Sequence, residues 1–267
     1  MDIVVCIKQV PDTTNVKIDP ETHTLIREGV KSIINPFDLY AIEEGLRLKE
    51  RFSGQVTVMT MGPPQAEESL REALSYGVDD VVLLSDKRFA GADTIATSFT
   101  LMAGVQKIEK FDLILCGRQA IDGDTAQVPP SLAERLNIPY VTYVRKIRNF
   151  SEGIIEVERM MDDGYDVVEM KLPGLISVVK EINEPRMPSL RGMARAKSYD
   201  IKLWNMDDLN ISIDHVGLKG SPTQVIKVFS PPKREKREFI EASTIEEKVD
   251  VLFEKLKSTG SLTMNTQ

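Results

Sequence analysis

Asp112 to Gln127 reads DLILCGRQAIDGDTAQ. The apolar run Leu113 to Cys116 is short and bounded, which suits a buried strand better than a helix. It stops at Gly117, and a loop with Gly123 and two acids, Asp122 and Asp124, follows. Thr125 then opens a helical pattern through Leu132, Ala133 and Leu136. Strand, polar glycine loop, helix start is the order in which an open α/β sheet places its ligand, beyond the carboxyl ends of its strands. The first amides of such a helix lack internal partners and carry partial positive charge, so they suit a phosphate. Asp124 stands where an N-cap is expected, and an ordinary capped helix explains the same residues. Geometry alone leaves the two readings level.

Upstream, the pattern repeats. Ile3 to Ile7 reads as the first strand, with Gln9-Val10-Pro11-Asp12 as the loop beyond it. Val16 to Ile18 and Leu25 to Arg27 flank DPETHT and suggest a small hairpin. Asn35 is the expected N-cap of a helix with Pro36 in its first turn, carrying Leu39, Ile42, Leu46 and Leu48 to about Arg51. Gln55 to Met61 is a strand closed by Gly62-Pro63-Pro64. Ala66 to Tyr76 is a helix with Gly77 at its C-terminal end. Val81 to Leu84 is a third strand, and Asp93 caps a helix bearing Ile95, Phe99, Met102 and Ala103. This alternation indicates βαβ crossovers and a mostly parallel sheet.

Downstream, Val141 to Ile147 is a fifth strand. Ile154 to Met161 and Tyr165 to Met170 form a hairpin about Asp162-Asp163-Gly164, followed by a short strand, Leu175 to Val179. These are read as antiparallel additions to the same sheet. From Asn183 the chain turns irregular: Pro185 and Pro188 forbid a regular element, and Ser189 to Lys197 suits a short basic helix. The rest is tail-like, with a Pro231-Pro232-Lys233-Arg234 run and a last helix about Ile245 to Leu256. Its stripe of Val249, Leu252, Phe253 and Leu256 calls for a partner surface.

Composition excludes several classes. With 267 residues and 42% hydrophobic content, one large α/β domain with an appendage is expected. A net charge of −7 and few aromatics argue against nucleic-acid binding. No apolar run approaches the ~20 residues of a membrane span. The N-terminus has no signal character, and Cys6 and Cys116 read as two buried thiols of a reducing cytoplasm. Two distant histidines, His23 and His215, make a His/Cys metal site improbable. GxxxxGK[ST], GxGxxG and GxSxG are missing, and no acid, base or nucleophile constellation is seen. A nucleotide site without catalytic groups fits a protein whose cofactor brings the chemistry. Four segments lie at strand ends or helix starts on one sheet edge: Cys6-Ile7-Lys8-Gln9, Asn35 to Asp38, Met61-Gly62, and Arg118 to Val128, directly after Gly117.

VxIKQVPD at the start, NPFDLYAIEEGLRLKE, MGPPQAEESLREAL, GRQAIDGDTAQ and NEPRMPSLRGMARAK together resemble the β-subunit of electron transfer flavoprotein, over nearly the whole chain. The resemblance implies a parallel α/β fold of Rossmann-like, adenine-nucleotide-binding type, an adenine nucleotide in the site and an α-subunit partner. It also divides the chain into a nucleotide-binding domain (1–182), a recognition loop and short helix for a dehydrogenase (183–200) and an arm wrapping the α-subunit (201–267).

Housekeeping members bind AMP and typically carry DDD-x-N-Q-T after QAI. The present Asp122-Gly123-Asp124-Thr125-Ala126-Gln127-Val128 looks like the electron-bifurcating members, whose site holds FAD. Pro129 departs from their usual glycine and removes one amide donor. In this reading Arg118, Asp122, Thr125 and Gln127 hold phosphates and ribose, with Gln119, Gly123, Asp124 and Ala126 in the same loop. NAD(H) is a transient substrate. Electrons divide between ferredoxin and, through the α-subunit FAD, a flavin-dependent dehydrogenase of acyl-CoA or lactate type. Leu190 matches the leucine that anchors on that dehydrogenase, with Arg191, Met193, Arg195 and Lys197 around it. The alternatives are an AMP-binding subunit and a free-standing adenine-nucleotide sensor.

Overall fold

The computed structural model describes residues 1–12, 17–18, 25–26, 32–227 and 239–260. Two compact units divide the chain, Met1–Val228 and Phe229–Gln267.

The first unit is built on a nine-stranded sheet. Its parallel strands are β1 (Asp2–Cys6), β6 (Gln55–Met61), β7 (Asp80–Leu84), β8 (Leu113–Gly117), β9 (Tyr140–Ser151), β12 (Gly174–Val178) and β13 (Lys202–Trp204). β10 (Ile154–Met160) and β11 (Tyr165–Lys171) extend it antiparallel beside β9. The order is β11-β10-β9-β12-β8-β1-β6-β7-β13. Two small antiparallel pairs stand apart: β2 (Gln9–Pro11) with β5 (Ser32–Ile34), and β3 (Lys17–Ile18) with β4 (Leu25–Ile26). The turn between β3 and β4 lies outside the described residues, as does the Pro231–Arg234 run.

The central strands are apolar throughout because both sheet faces are covered. Ile3, Val5, Leu113 and Leu115 point into one core, shared with α1 (Pro36–Phe52) and α2 (Glu67–Tyr76). Val4, Cys6, Ile114 and Cys116 point into the other, shared with α3 (Thr94–Ile108) and α4 (Val128–Leu136). Helix ends follow their chemistry. Pro36 opens α1, Gly77 closes α2 with φ of 113°, and Asp93 accepts from the amides of Ile95 and Ala96 at 2.9 and 3.0 Å.

Three expectations need correction. Gln9–Pro11 is a strand, since β5 returns beside it with Val10 opposite Ile33. β12 is parallel to both neighbours and inserts between β8 and β9. The region from 201 onward is no simple tail: β13 pairs with β7, and Met206, Leu209 and Val216 enter the second core. A three-residue edge strand carries too little periodicity to stand out from sequence.

The second unit holds α6 (Ile245–Ser258), started by a capping box between Thr244 and Glu247. No helix among the described residues is long and apolar enough to cross a membrane.

Candidate nucleotide site

β1 has β6 on one side and β8 on the other, and the chain reaches them in opposite directions across the sheet. This is the switch point at which an open α/β sheet leaves a crevice at its carboxyl edge. Three of the four predicted segments are bonded together there. The Lys8 amide donates to Asp38 Oδ2 at 2.7 Å, and Asn35 Nδ2 donates to Asp38 Oδ1 at 3.0 Å and to the Gln119 carbonyl at 2.8 Å. The Ile121 amide returns a bond to Asn35 Oδ1 at 3.1 Å. Lys8 Nζ meets both oxygens of Asp122 at 2.6 and 2.7 Å. Met61-Gly62 ends the adjacent strand, where the Gly62 amide is taken by Leu84.

Asn35 precedes α1 but makes no side-chain cap, contrary to expectation. It is 1% exposed and uses its whole amide to tie the 119–121 backbone to the α1 start. Asp38 is buried with it. Burial pushes the Asp38 carboxyl up to about 7, against the opposing pull of the Lys8 amide, Asn35 and the Gly117 amide. Gly117 is required at this point, since a Cβ would fall on Asp38 Oδ1 and the Phe37 backbone. Ile7 and Cys6 contribute through their main chain: Ile7 bonds Met59 and Thr60, and both side chains enter the cores. The Cys6 and Cys116 strands pair in register, and hydrogen bonding to Cys6 together with burial pushes the Cys116 thiol up.

The loop after Gly117 differs from a plain helix cap. α4 begins at Val128 and not at Thr125, and Asp124 does not cap it. Asp124 and Ala126 both have φ of 54°, the left-handed region that side chains enter at a cost. The Asp124 carboxylate accepts from the Gln119 side-chain nitrogen Nε2, so each acid of the loop has its own partner. Gly123 faces open space, and Thr125 is exposed. The Gln127 carbonyl oxygen Oε1 accepts from Thr94 Oγ1 at 3.2 Å, drawing the α3 start to the loop. Pro129 and Pro130 both fall in the first turn of α4, so two early amide donors are missing.

Arg118 stands apart. Its Nε donates to Gln119 Oε1 at 2.7 Å. Its guanidinium lies 5.0 Å from the Tyr143 ring centroid and 5.9 Å from that of Phe37. Among the described residues no carboxylate pairs with it, whereas Lys8 is matched by Asp122. Phe37 falls within the expected Asn35 to Asp38 segment, whereas Thr94 and Tyr143 lie outside all four segments. Thr94 sits beside the recognisable cap Asp93, whereas the position of Tyr143 depends on an irregularity in β9 that no sequence period reports. Beside the loop, Thr125, Ala126, Pro130, Tyr140, Tyr143 and Arg159 line an open cavity of ≈ 530 Å³.

The predicted partner residues lie on α5 (Leu190–Ser198), which rests on α2. Ser189 caps it, and a Cβ on Gly192 would strike the Ser75 carbonyl. Arg195 Nη1 donates to the Val78 carbonyl at 2.6 Å, so this arginine braces the helix from beneath. Leu190 is 83% and Met187 84% exposed. Met193 is also exposed, as are Arg191 and Lys197.

A model of the electron transfer flavoprotein domain matches residues 22–209. The chain is 53% identical over 258 residues to the caffeyl-CoA reductase-Etf complex subunit CarD of Acetobacterium woodii, covering 96% of this chain and 98% of the relative. It is 51% identical over 259 residues to an electron transfer flavoprotein subunit beta of Thermoanaerobacterium thermosaccharolyticum, covering 97% and 98%. Protein FixA of Azotobacter vinelandii is 48% identical over 249 residues, 91% of this chain and 89% of its own. The chain belongs to the electron transfer flavoprotein family, as a β-subunit.

Proposed function

We propose that this β-subunit binds FAD along the β1/β8 crevice. With its α-subunit it takes hydride from NADH, or runs in reverse, and splits electrons between ferredoxin and a flavin-dependent dehydrogenase. The observation that carries the reading is the Arg118 guanidinium, free of any carboxylate among the described residues, at the mouth of a switch-point crevice whose own acids are already matched. Such a cation is placed for phosphate. When bound, FAD supplies hydride acceptance and one-electron transfer.

The chain's part is to bind and orient. Asn35 and Asp38 fix the crevice wall, and Gly117 lets the α1 start come close. Gly123 leaves the loop open, and the positive-φ residues Asp124 and Ala126 turn it. Because Pro129 and Pro130 offer no amides, phosphate charge falls to Arg118 and to the remaining loop amides. Thr125 and Gln127 are left for ribose and phosphate oxygens. That same shortage of helix amides favours a second reading, AMP with its single phosphate.

On the partner side, the exposed Leu190 on a braced α5 suits anchoring to a dehydrogenase, and Arg191 and Lys197 add charge for steering. That CarD is named as a subunit of a caffeyl-CoA reductase complex supports a CoA-thioester reductase over a lactate dehydrogenase. The second unit serves as the arm on the α-subunit.

The test is the nucleotide content of the co-purified αβ heterodimer after acid extraction. Two FAD without AMP per heterodimer is the expected result; one FAD with one AMP would transfer the case to the second reading.

A further inference from the structure

β9 and β12 fall out of step at one point. Val141 is opposite Ile176 and Val144 opposite Val178, so Thr142 and Tyr143 together face the single residue Ser177. This is a β-bulge, a device that re-aims a side chain at the cost of one unpaired residue. Tyr143 is the strained member, with φ of 60°. An aromatic residue with positive φ is disfavoured and persists only where its surroundings hold it. The holding group is Ser177, 1% exposed, whose Oγ accepts from the Tyr143 amide at 3.3 Å. On the far side, the Val179 amide resumes the ladder to Val144 at 3.0 Å.

The bulge has a result at the site. It lays the Tyr143 ring 5.0 Å from the Arg118 guanidinium, while the Arg118 amide is itself fixed to the Val178 carbonyl at 3.0 Å. Both ends of Arg118 are thereby set from the β12 side: its backbone by Val178, its head by the ring that Ser177 holds out of register. We propose that Tyr143 is a positioning residue, a shelf that holds the Arg118 guanidinium toward the phosphates of the nucleotide. The attraction of a cation to an aromatic face needs the ring but not the phenol hydroxyl. The ring also fixes a long side chain that would otherwise lose rotamer freedom when it engages a phosphate. The inference rests on the nucleotide reading above and assigns a role to a residue outside the loop.

The test measures ADP and adenosine affinities of the nucleotide-depleted full-length chain in complex with its α-subunit. Variants are Tyr143→Phe, Tyr143→Leu, Arg118→Gln and the Leu/Gln double. Tyr143→Leu is expected to weaken ADP about 3- to 10-fold, the range of a partly exposed cation–π contact, and to leave adenosine unchanged. Tyr143→Phe retains ADP affinity, and in the Arg118→Gln background Tyr143→Leu has no further effect. Equal losses for ADP and adenosine, or additive losses in the double variant, would assign Tyr143 a purely structural role and overturn the inference. Loss of ADP affinity in Arg118→Gln with none in Tyr143→Leu would overturn the shelf while leaving the nucleotide reading intact. If Arg118→Gln binds ADP as well as the unaltered chain, the phosphate role of Arg118 fails and the shelf fails with it.

Discussion

Gly117 and Asp38 show how one crevice residue constrains another. The α1 start can approach β8 only because position 117 lacks a side chain. Gly117→Ala is expected to cost about 1–3 kcal/mol, as overpacking does in a filled interior, and to lower nucleotide affinity; calorimetric unfolding reads the first and titration the second. Asp38 makes stability depend on pH. Its carboxyl, near 3.8 when unfolded, titrates at about 7 in the fold. Between those values the native state holds a proton that the unfolded chain has released, so this residue's contribution is fully present below about pH 4 and is lost as pH rises through about 7. Asp38→Asn should flatten the slope of unfolding free energy across that window, whatever it does to the level. Denaturant midpoints at several pH values check the slope; an unchanged slope would remove Asp38 as its source. The sequence made both residues visible as members of an edge segment. It could not show that Asn35 abandons the cap role for the loop, because the partner carbonyl at Gln119 is 84 positions away.

At the scale of elements, the legible parts were those with a strong period. α1, α2, α3 and the buried strands follow from apolar spacing and from Pro36, Gly77 and Asp93. The illegible parts were set by tertiary context. α4 starts three residues late because Asp124 and Ala126 take left-handed backbone, and β13 is recruited by the free edge of β7. β9 runs past its predicted end through further irregularities opposite β10, where Arg145 and Arg148 stand as extra residues. α5 was legible as a short basic helix, but not that Arg195 reaches back to the Val78 carbonyl. The consequence is testable. Leu190→Ala should slow electron transfer to the dehydrogenase about tenfold or more, as loss of an exposed apolar anchor does, with nucleotide content unchanged. Stopped-flow reduction of the dehydrogenase is the measurement, and an unaltered rate would remove Leu190 as an anchor.

For the whole molecule, the first unit carries the sheet, both cores and the crevice, and α6 in the second exposes Ile245, Val249 and Phe253. A chain ending at Val228 is expected to keep its unfolding midpoint and lose co-purification with the α-subunit; retained association would place the α-subunit contact elsewhere. The central claim concerns the path of electrons through the complete assembly. It is tested most directly by mixing the heterodimer with its dehydrogenase, NADH, oxidised ferredoxin and the dehydrogenase's acceptor, then counting the reduced products. Electron bifurcation predicts ferredoxin reduction that matches acceptor reduction electron for electron and stops when the acceptor is withheld. NADH oxidation that reduces the acceptor fully while ferredoxin stays oxidised would contradict it.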